Sequence, residues 1–236
     1  MSLGRKESLG VVPVSREPVH QRVYEQLRNL LMSGHFSPGQ PLTITELASA
    51  FGTSAQPVRD AIRQLVAEKA LTASPNRSVV VPVLDRAAME DLRAARLAVE
   101  GLAAELGAAR ATKSDIDELD RLVAHETEAD SADRIEEAVA QNRAFHTKLY
   151  SLSGSRVLPP IVDSLWLQIG PYIRRTLDYI DVQGGPSLHH AEAIEALRGG
   201  EPLKVRAAIE RDIRRFFDIA FEVVATEADV SRPDVA

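Results

Sequence analysis

The chain has 236 residues, a net charge of −6 and no cysteine, so disulfide bonds and thiol chemistry are excluded. With 44% hydrophobic and 26% charged residues, it has the composition of a globular protein of one large or two ordinary domains. The sequence contains no apolar run of about 18 residues and no secretion-signal pattern, so we expect a cytoplasmic protein without a membrane span.

Charge is distributed unevenly along the chain. Residues 1–84 carry nine Lys and Arg against six Asp and Glu, whereas residues 85–236 carry 19 against 28. Such asymmetry predicts two parts with different partners, and only the first part has a charge suited to DNA.

The first part begins with a polar segment and a helix. Residues 1–16 lack periodicity and are expected to form a flexible tail. Apolar residues spaced three and four apart predict a helix from about Val19 to Met32, which ends in a turn rich in Gly and Pro. The segment "LTITELASAFG" then predicts a short second helix that stops at Gly52.

A longer helix and a hairpin complete the first part. The segment "TSAQPVRDAIRQLVAEKAL" predicts a third helix, with Ser54 as its N-cap and Pro57 in its first turn. "LTASPNRSVVVPV" consists of two β-favouring runs around a turn and predicts a β-hairpin. This order of elements is typical of a winged helix-turn-helix: a helix, a short helix, a turn, a longer helix and a hairpin. We therefore assign residues 17–84 to such a domain.

Everything after Asp85, which can cap the next helix, has helical periodicity. Helices are predicted near residues 86–109, 114–128, 132–152, 157–181, 187–198 and 202–226. The predicted fold is therefore mainly α, with an N-terminal winged helix-turn-helix and a C-terminal antiparallel bundle of six or seven helices over residues 85–226. Residues 227–236 are expected to form a C-terminal tail.

Polar residues interrupt the apolar stripes of three predicted helices. Asn142 and His146, four residues apart, lie on the stripe that contains Phe145 and Leu149. His190 and Asp212 lie on the core-facing stripes of the last two predicted helices. A buried polar group without a partner costs about 1–3 kcal/mol, so three such helices predict a common polar pocket.

Residues 17–83 resemble the GntR family of bacterial transcription regulators, through "SGHFSPGQPL", "ELASAFGTSAQPVRDAIRQL" and "PNRSVVV". The resemblance implies that the third helix reads the major groove of double-stranded DNA, with Ser54, Gln56 and Arg59 at its reading end. Arg77 at the wing tip would reach the minor groove or a phosphate. The chain departs from the family pattern at Ala55, usually Arg, and at Ser78, usually Gly, so an operator sequence does not transfer.

The second part resembles the FCD domain, the helical ligand-sensing domain of the FadR subfamily. "RLAVEGLAAELGA", "NRAFHTKLYSLSGS" and "HHAEAIEALRGGEPLKVRAAIERDI" carry this resemblance. Many members hold a divalent metal between an Asp, a His four residues later and two further His residues, and the metal helps to bind a small carboxylate effector.

The metal positions of the family fall on Asn142, His146, His190 and Asp212. The usual Asp is replaced by Asn142 and a usual His by Asp212, so one carboxylate is kept at another position. Two imidazoles, a carboxylate and an amide oxygen suit Zn, Ni, Fe or Mn, and on this interpretation Asp at position 142 would retain or tighten metal binding. The alternatives are that Asn142 contacts only a metal-bound water, or that Asp212 pairs with a histidinium in a metal-free network.

Arg96 lies at the edge of the apolar stripe on the first predicted helix of the C-terminal part. It could bind the carboxylate of an effector, or form a salt bridge with Glu100 one turn later. Arg59 could pair with guanine, or be a solvated surface charge.

Three functions remain open at the level of the sequence. The favoured hypothesis is a homodimeric DNA-binding regulator, most simply a repressor, controlled by a small organic acid. A metal-dependent enzyme is disfavoured because no nucleophile has an adjacent base, and because Arg143, three residues before His146, breaks the Glu-x-x-His pattern of di-iron bundles. The third hypothesis is a helical interaction scaffold with weakened DNA binding.

Overall fold

The computed structural model describes residues 18–74, 78–180 and 188–230, with the side chains of 177–180 and 224–230 left undescribed. Its N-terminal part contains three helices and three short strands. In chain order these are α1 (Val19–Met32), β1 (Pro41–Thr43), α2 (Ile44–Ala50), α3 (Ala55–Ala67), β2 (Thr72–Ala73) and β3 (Ser78–Val80). The predicted tail 1–16 lies outside the described residues.

In its described residues the C-terminal part contains helices joined by short turns, and no strands. Its elements are α4 (Arg86–Ala108), α5 (Lys113–Ser131), α6 (Ile135–Ser151), α7 (Leu158–Ile180), α8 (Leu188–Arg198) and α9 (Pro202–Val230). The six predicted helices are thus confirmed, as is the mainly α fold class. None of the described helices is both long enough and apolar enough to cross a lipid bilayer.

The small sheet contains a strand that the sequence analysis missed. β3 lies between β1 and β2 and pairs with both in antiparallel orientation, with Leu42 opposite Val79 and Thr72 opposite Val80. The prediction of one helix over "LTITELASAFG" was wrong for its first two residues, which belong to β1. Their extended conformation is stabilised by backbone pairing with a segment far away in the chain, which local periodicity does not report.

The two predicted capping residues differ in what their side chains do. Asp85 caps α4 as predicted, because its side chain accepts a hydrogen bond from the backbone N–H of Ala88 at 2.8 Å. Ser54 occupies the N-cap position of α3, but its side chain makes no capping hydrogen bond. At the other end of the chain, α9 continues to Val230, beyond the helix end predicted at residue 226.

The helical part packs around small residues as well as large ones. α4 lies against α9, α5 against α6 and α8 against α9. At Gly107 a Cβ atom would stand 2.2 Å from the backbone oxygen of Leu149, so only glycine allows α4 and α6 to approach this closely. Phe145, Leu149 and Phe217 are fully buried in the common core.

Helix α7 joins the two parts of the molecule. A Cβ atom at Gly170 would lie 2.4 Å from the backbone oxygen of Leu31, which shows that α7 touches the end of α1 backbone to backbone. Nearby, the hydroxyl of Tyr172 accepts a hydrogen bond from the backbone N–H of Leu84 at 2.7 Å. The segment that leads into α4 is therefore fixed to α7.

Candidate functional site

The first candidate site is the outer face of α3. Val58, Ile62 and Leu65 are buried against the rest of the N-terminal part, because they recur at helical spacing. This leaves the other side of the helix outward, with Ser54 and Gln56 exposed and Arg59 half-buried. The predicted reading residues therefore share one accessible helix end.

Gln56 and Arg59 differ in the contacts that their side chains make on this face. The amide of Gln56 donates to the carboxylate of Asp60 at 3.0 and 3.1 Å, and Arg63 forms an ion pair with the same carboxylate at 3.2 Å. Among the described residues Arg59 makes no ion pair, so its guanidinium can turn to a base edge. Arg77, the predicted wing contact, lies outside the described residues, between β2 and β3.

The second candidate site is a cavity inside the helical part. Apolar side chains of α6, α7 and α9 form much of its wall, and polar groups project into it from α4, α5, α6 and α9. The polar lining includes Arg96, Glu126, Asn142, His146 and Asp212. The polar residues predicted from separate helices do therefore converge.

At the back of this cavity, two imidazoles and a carboxylate meet. The Nε2 atoms of His146 and His190 are 3.0 Å apart, and Oδ2 of Asp212 lies 3.4 Å from the first and 3.8 Å from the second. Ligand atoms at about 2.1 Å from one metal ion, separated by roughly 90–110°, lie about 3.0–3.4 Å from one another. Two of the three distances fall in this range and the third, at 3.8 Å, is longer, so His146, His190 and Asp212 are close enough together to share one metal ion after a small adjustment of Asp212.

The outer nitrogens of both imidazoles are engaged. Nδ1 of His190 lies 2.7 Å from a carboxylate oxygen of Glu126, and Nδ1 of His146 lies 2.9 Å from the hydroxyl of Tyr150. That hydroxyl donates its single proton to Glu100 at 2.8 Å, and so it must accept from His146. Both Nδ1 atoms thus carry hydrogens, and the two Nε2 lone pairs point at each other. The two lone pairs repel each other, and only a proton or a metal cation between them removes this repulsion.

Electrostatics in the metal-free site favour a proton on His190. Burial, the largest effect, lowers the pKa of His190, but the carboxylates of Glu126 and Asp212 outweigh it and raise that pKa to about 10. Burial likewise tends to raise the pKa of Asp212, yet His190 and His146 hold it well below its usual range. Without metal, the site is therefore a histidinium paired with Asp212, one of the alternatives that the sequence left open.

Asn142 lies beside this set but uses its amide on another residue. Its Nδ2 donates to Oε1 of Glu126 at 3.0 Å, so Asn142 is linked to His190 through Glu126. Glu126 was not predicted from the sequence, although its position in the helix pattern was informative. It lies on the buried stripe of α5 with Leu119 and Val123, where a carboxylate needs a partner.

Arg96 and Glu100 form the ion pair that the sequence offered as an alternative to effector binding. Both are buried, and Nε and one terminal nitrogen of Arg96 donate to the carboxylate. The indole of Trp166 also donates to Glu100 at 2.9 Å, and the guanidinium of Arg96 lies 5.1 Å from the Trp166 ring centre. Arg96 still borders the cavity, where it is the cationic half of a buried ion pair.

Comparisons with known proteins agree with this architecture. The FCD domain matches residues 91–215, and the bacterial regulatory proteins of the gntR family match residues 19–81. The chain is 29% identical to the HTH-type transcriptional regulator McbR of Escherichia coli (strain K12) over 150 residues, 64% of this chain and 68% of McbR. It is 26% identical to the HTH-type transcriptional repressor GlaR of the same strain over 162 residues, 65% of this chain and 74% of GlaR.

A solved structure, E. coli McbR/YncC, has the same fold, with a TM-score of 0.79 at 23% identity over 88% of this chain and 99% of that one. The matched families are regulators rather than enzymes, and their FCD part takes small molecules. The chain therefore belongs to the GntR family of bacterial regulatory proteins, with an FCD domain, and is a DNA-binding transcription regulator.

Proposed function

We propose that this regulator is a homodimeric repressor whose hold on its operator is controlled by a small organic acid bound beside a divalent metal. The observation that carries this proposal is the pair of Nε2 atoms, in His146 and His190, that face each other with Asp212 alongside. The name of the relative GlaR, a transcriptional repressor, supports the sign of regulation.

His146, His190 and Asp212 would hold the metal, with Asn142 close behind them through Glu126. Imidazole nitrogens with one carboxylate suit Zn, Ni, Fe or Mn. A bound dication would supply an electrophilic centre for an acid group. The chain itself keeps the imidazoles in the binding tautomer, because Glu126 and Tyr150 accept from their outer N–H groups.

The cavity sets the size and chemistry of the proposed effector. Its volume is ≈ 70 Å³, whereas one water needs about 10–15 Å³. This is room for a molecule of a few heavy atoms. The guanidinium of Arg96, paired with Glu100, borders the polar side, and Val139, Ile173 and Phe216 line the apolar side. A small carboxylate with a short apolar portion fits both features.

Helix α7 would carry the signal to the DNA-binding part. Trp166 lines the effector cavity and also a smaller crevice that reaches Met32 at the end of α1. One turn later, Gly170 touches the backbone of Leu31 and Met32. An occupant that displaces Trp166 would therefore move the surface on which α1 rests.

DNA binding would use Ser54, Gln56 and Arg59 of α3 in the major groove, with Arg77 at the wing. We assign residues 17–84 to DNA binding and residues 85–226, with the end of α9 that continues to Val230, to effector binding and dimerisation. A two-fold dimer would match a palindromic operator, and the acidic helical part would lie away from the phosphates. Such a regulator acts beside the chromosome, so the proposed location is the cytoplasm.

A combined experiment tests this function. Protein purified without added metal is examined by native mass spectrometry and elemental analysis, and its binding to the DNA upstream of its own gene is measured with a panel of small carboxylates. We expect a dimer with one metal per chain, bound to DNA and released by at least one acid. A monomer, or binding that no acid changes, would contradict the proposal.

A further inference from the structure

We propose that Glu126 is a positioning residue of the metal site, and that Asn142 is the residue that holds Glu126 rather than a metal ligand. This inference rests on the proposed metal site and revises the part that the family resemblance gives to Asn142. It assigns to α5 a role in a site whose other members lie on α6, α8 and α9.

The first argument is the tautomer of His190. Glu126 is 1% exposed, and its Oε2 lies 2.7 Å from Nδ1 of His190. An ionised carboxylate only accepts hydrogen bonds, so the hydrogen of the imidazole must be on Nδ1 when the ring is neutral. The lone pair of Nε2 then faces His146 and Asp212. Glu126 thus prepares His190 to bind a cation without touching the cation itself.

The second argument is the position of Asn142. Its Nδ2 lies 3.0 Å from Oε1 of Glu126, so each oxygen of the carboxylate has its own donor. This fixes the orientation of Glu126 in a buried place where rotation would leave an oxygen without a partner. An Asp at position 142, the residue that the family pattern calls for, would place a second carboxylate at that distance. Two ionised carboxylates so close repel each other.

The third argument is the balance of charge. Neutral imidazoles leave Asp212 and Glu126 as the two carboxylates nearest the proposed ion. Together they compensate a dication, and Glu126 does so from behind His190. In this chain Asp212 on α9 replaces the carboxylate that the family pattern has at position 142, Glu126 on α5 adds a second one, and the amide of Asn142 donates a hydrogen bond to Glu126.

Three full-length variants test the inference: Glu126→Gln, Asn142→Asp and the double variant. In Glu126→Gln the new side-chain amide would still accept from His190 through its oxygen, and its NH₂ group could donate to an Asp at position 142. The double variant therefore keeps the hydrogen bonds and moves the carboxylate from position 126 to position 142. Zn²⁺ affinity is measured by competition with a chelator. Thermal unfolding of each metal-free variant checks its folding, and Glu128→Gln, exposed on the same helix, is the matched control.

We expect each single variant to bind Zn²⁺ about 10–100-fold more weakly, the usual effect of losing such an outer partner. The double variant should recover most of the affinity, and Glu128→Gln should match the wild type. In the Zn²⁺-bound protein, the Nδ1–H resonance of His190 should lie at low field and move upfield in Glu126→Gln, because a charged acceptor is replaced by a neutral one. A purely structural role of Glu126 would instead lower the melting temperature of the metal-free Glu126→Gln variant, which we expect to stay near that of the wild type.

Two results would overturn the inference while leaving the metal site intact. One is an Asn142→Asp variant that binds Zn²⁺ more tightly than wild type, which would make position 142 a ligand. The other is an unchanged affinity in Glu126→Gln. If the wild type itself takes up no Zn²⁺, the proposed metal site fails and this inference fails with it.

Discussion

His146 and His190 face each other through Nε2 atoms 3.0 Å apart, and each ring is held from behind through Nδ1. The rings come from α6 and α8, which are 44 residues apart in sequence at these positions. Two lone pairs at this distance repel unless a cation lies between them. The site therefore has two stable forms, one with a proton and one with a metal, and both are accessible to measurement.

Replacing His146 by Ala should abolish copurified metal and lower the melting temperature of the metal-loaded protein. Metal bound only to the folded state stabilises it by about 2.7 kcal/mol when its free concentration is 100 times Kd. Elemental analysis and thermal unfolding with and without Zn²⁺ are the measurements. His125→Ala, an exposed histidine on α5, is the control and should retain both metal and stability. Equal metal content in the two variants would contradict the assignment.

Metal affinity should fall as the pH falls. The pKa of His190 in the metal-free protein is raised to about 10, so the ring is protonated at neutral pH and a metal ion must displace that proton. Below pH 10 the apparent affinity should decrease about tenfold per pH unit for one displaced proton. Calorimetry at pH 7 in buffers of different ionisation enthalpy should register one proton released per metal bound. A constant affinity between about pH 6.5 and 8.5 would rule this out.

Arg59→Ala should weaken binding to the operator while leaving helicity and oligomeric state unchanged. A bidentate contact to guanine contributes roughly 1–3 kcal/mol, and a dimer would lose it twice. Gel-shift with specific and scrambled DNA measures the loss, which should be confined to the specific sequence. Arg198→Ala, on α8 in the helical part, serves as the charge-matched control. Wild-type affinity in Arg59→Ala would remove this residue from the reading surface.

Gly170→Ala should uncouple the two parts of the molecule. The added Cβ would lie 2.4 Å from the backbone oxygen of Leu31, so α7 and α1 must separate. We expect metal binding to persist, because the ligands lie on other helices, while the effect of the acid on DNA binding is reduced or lost. Gly199→Ala is a suitable control, since its Cβ would meet only the flexible side chain of Glu201, at 3.1 Å. A full effector response in Gly170→Ala would show that the signal takes another route.

Trp166 should report occupation of the cavity by its fluorescence. It is the single tryptophan of the sequence, so the emission needs no correction for other indoles. Its ring lies beside His146 and Arg96, and its N–H donates to Glu100. Metal or acid binding should change both intensity and wavelength, and the titration should give the same Kd as calorimetry. Emission that stays constant during saturation would show that the ligand does not reach Trp166.

Local residue patterns were sufficient to predict the helices and several members of the site. Helical periodicity predicts α4 to α9, and spacing of four residues puts Asn142 and His146 on one side of α6. A polar residue on an apolar stripe is a signal that the sequence carries by itself, and it identified His190 and Asp212 as well. Glu126 is likewise a polar residue on the apolar stripe of α5.

Tertiary structure decided what depends on partners distant in the chain. β1 exists because β3 pairs with it, and Glu126 meets His190 across 64 residues. Arg96 could clamp a ligand or pair with Glu100 on sequence grounds, and burial of both side chains selects the pair, since an unpaired buried charge is costly. Periodicity determines which face of a helix is buried, but only packing determines which helix that face meets, and therefore which polar groups share hydrogen bonds.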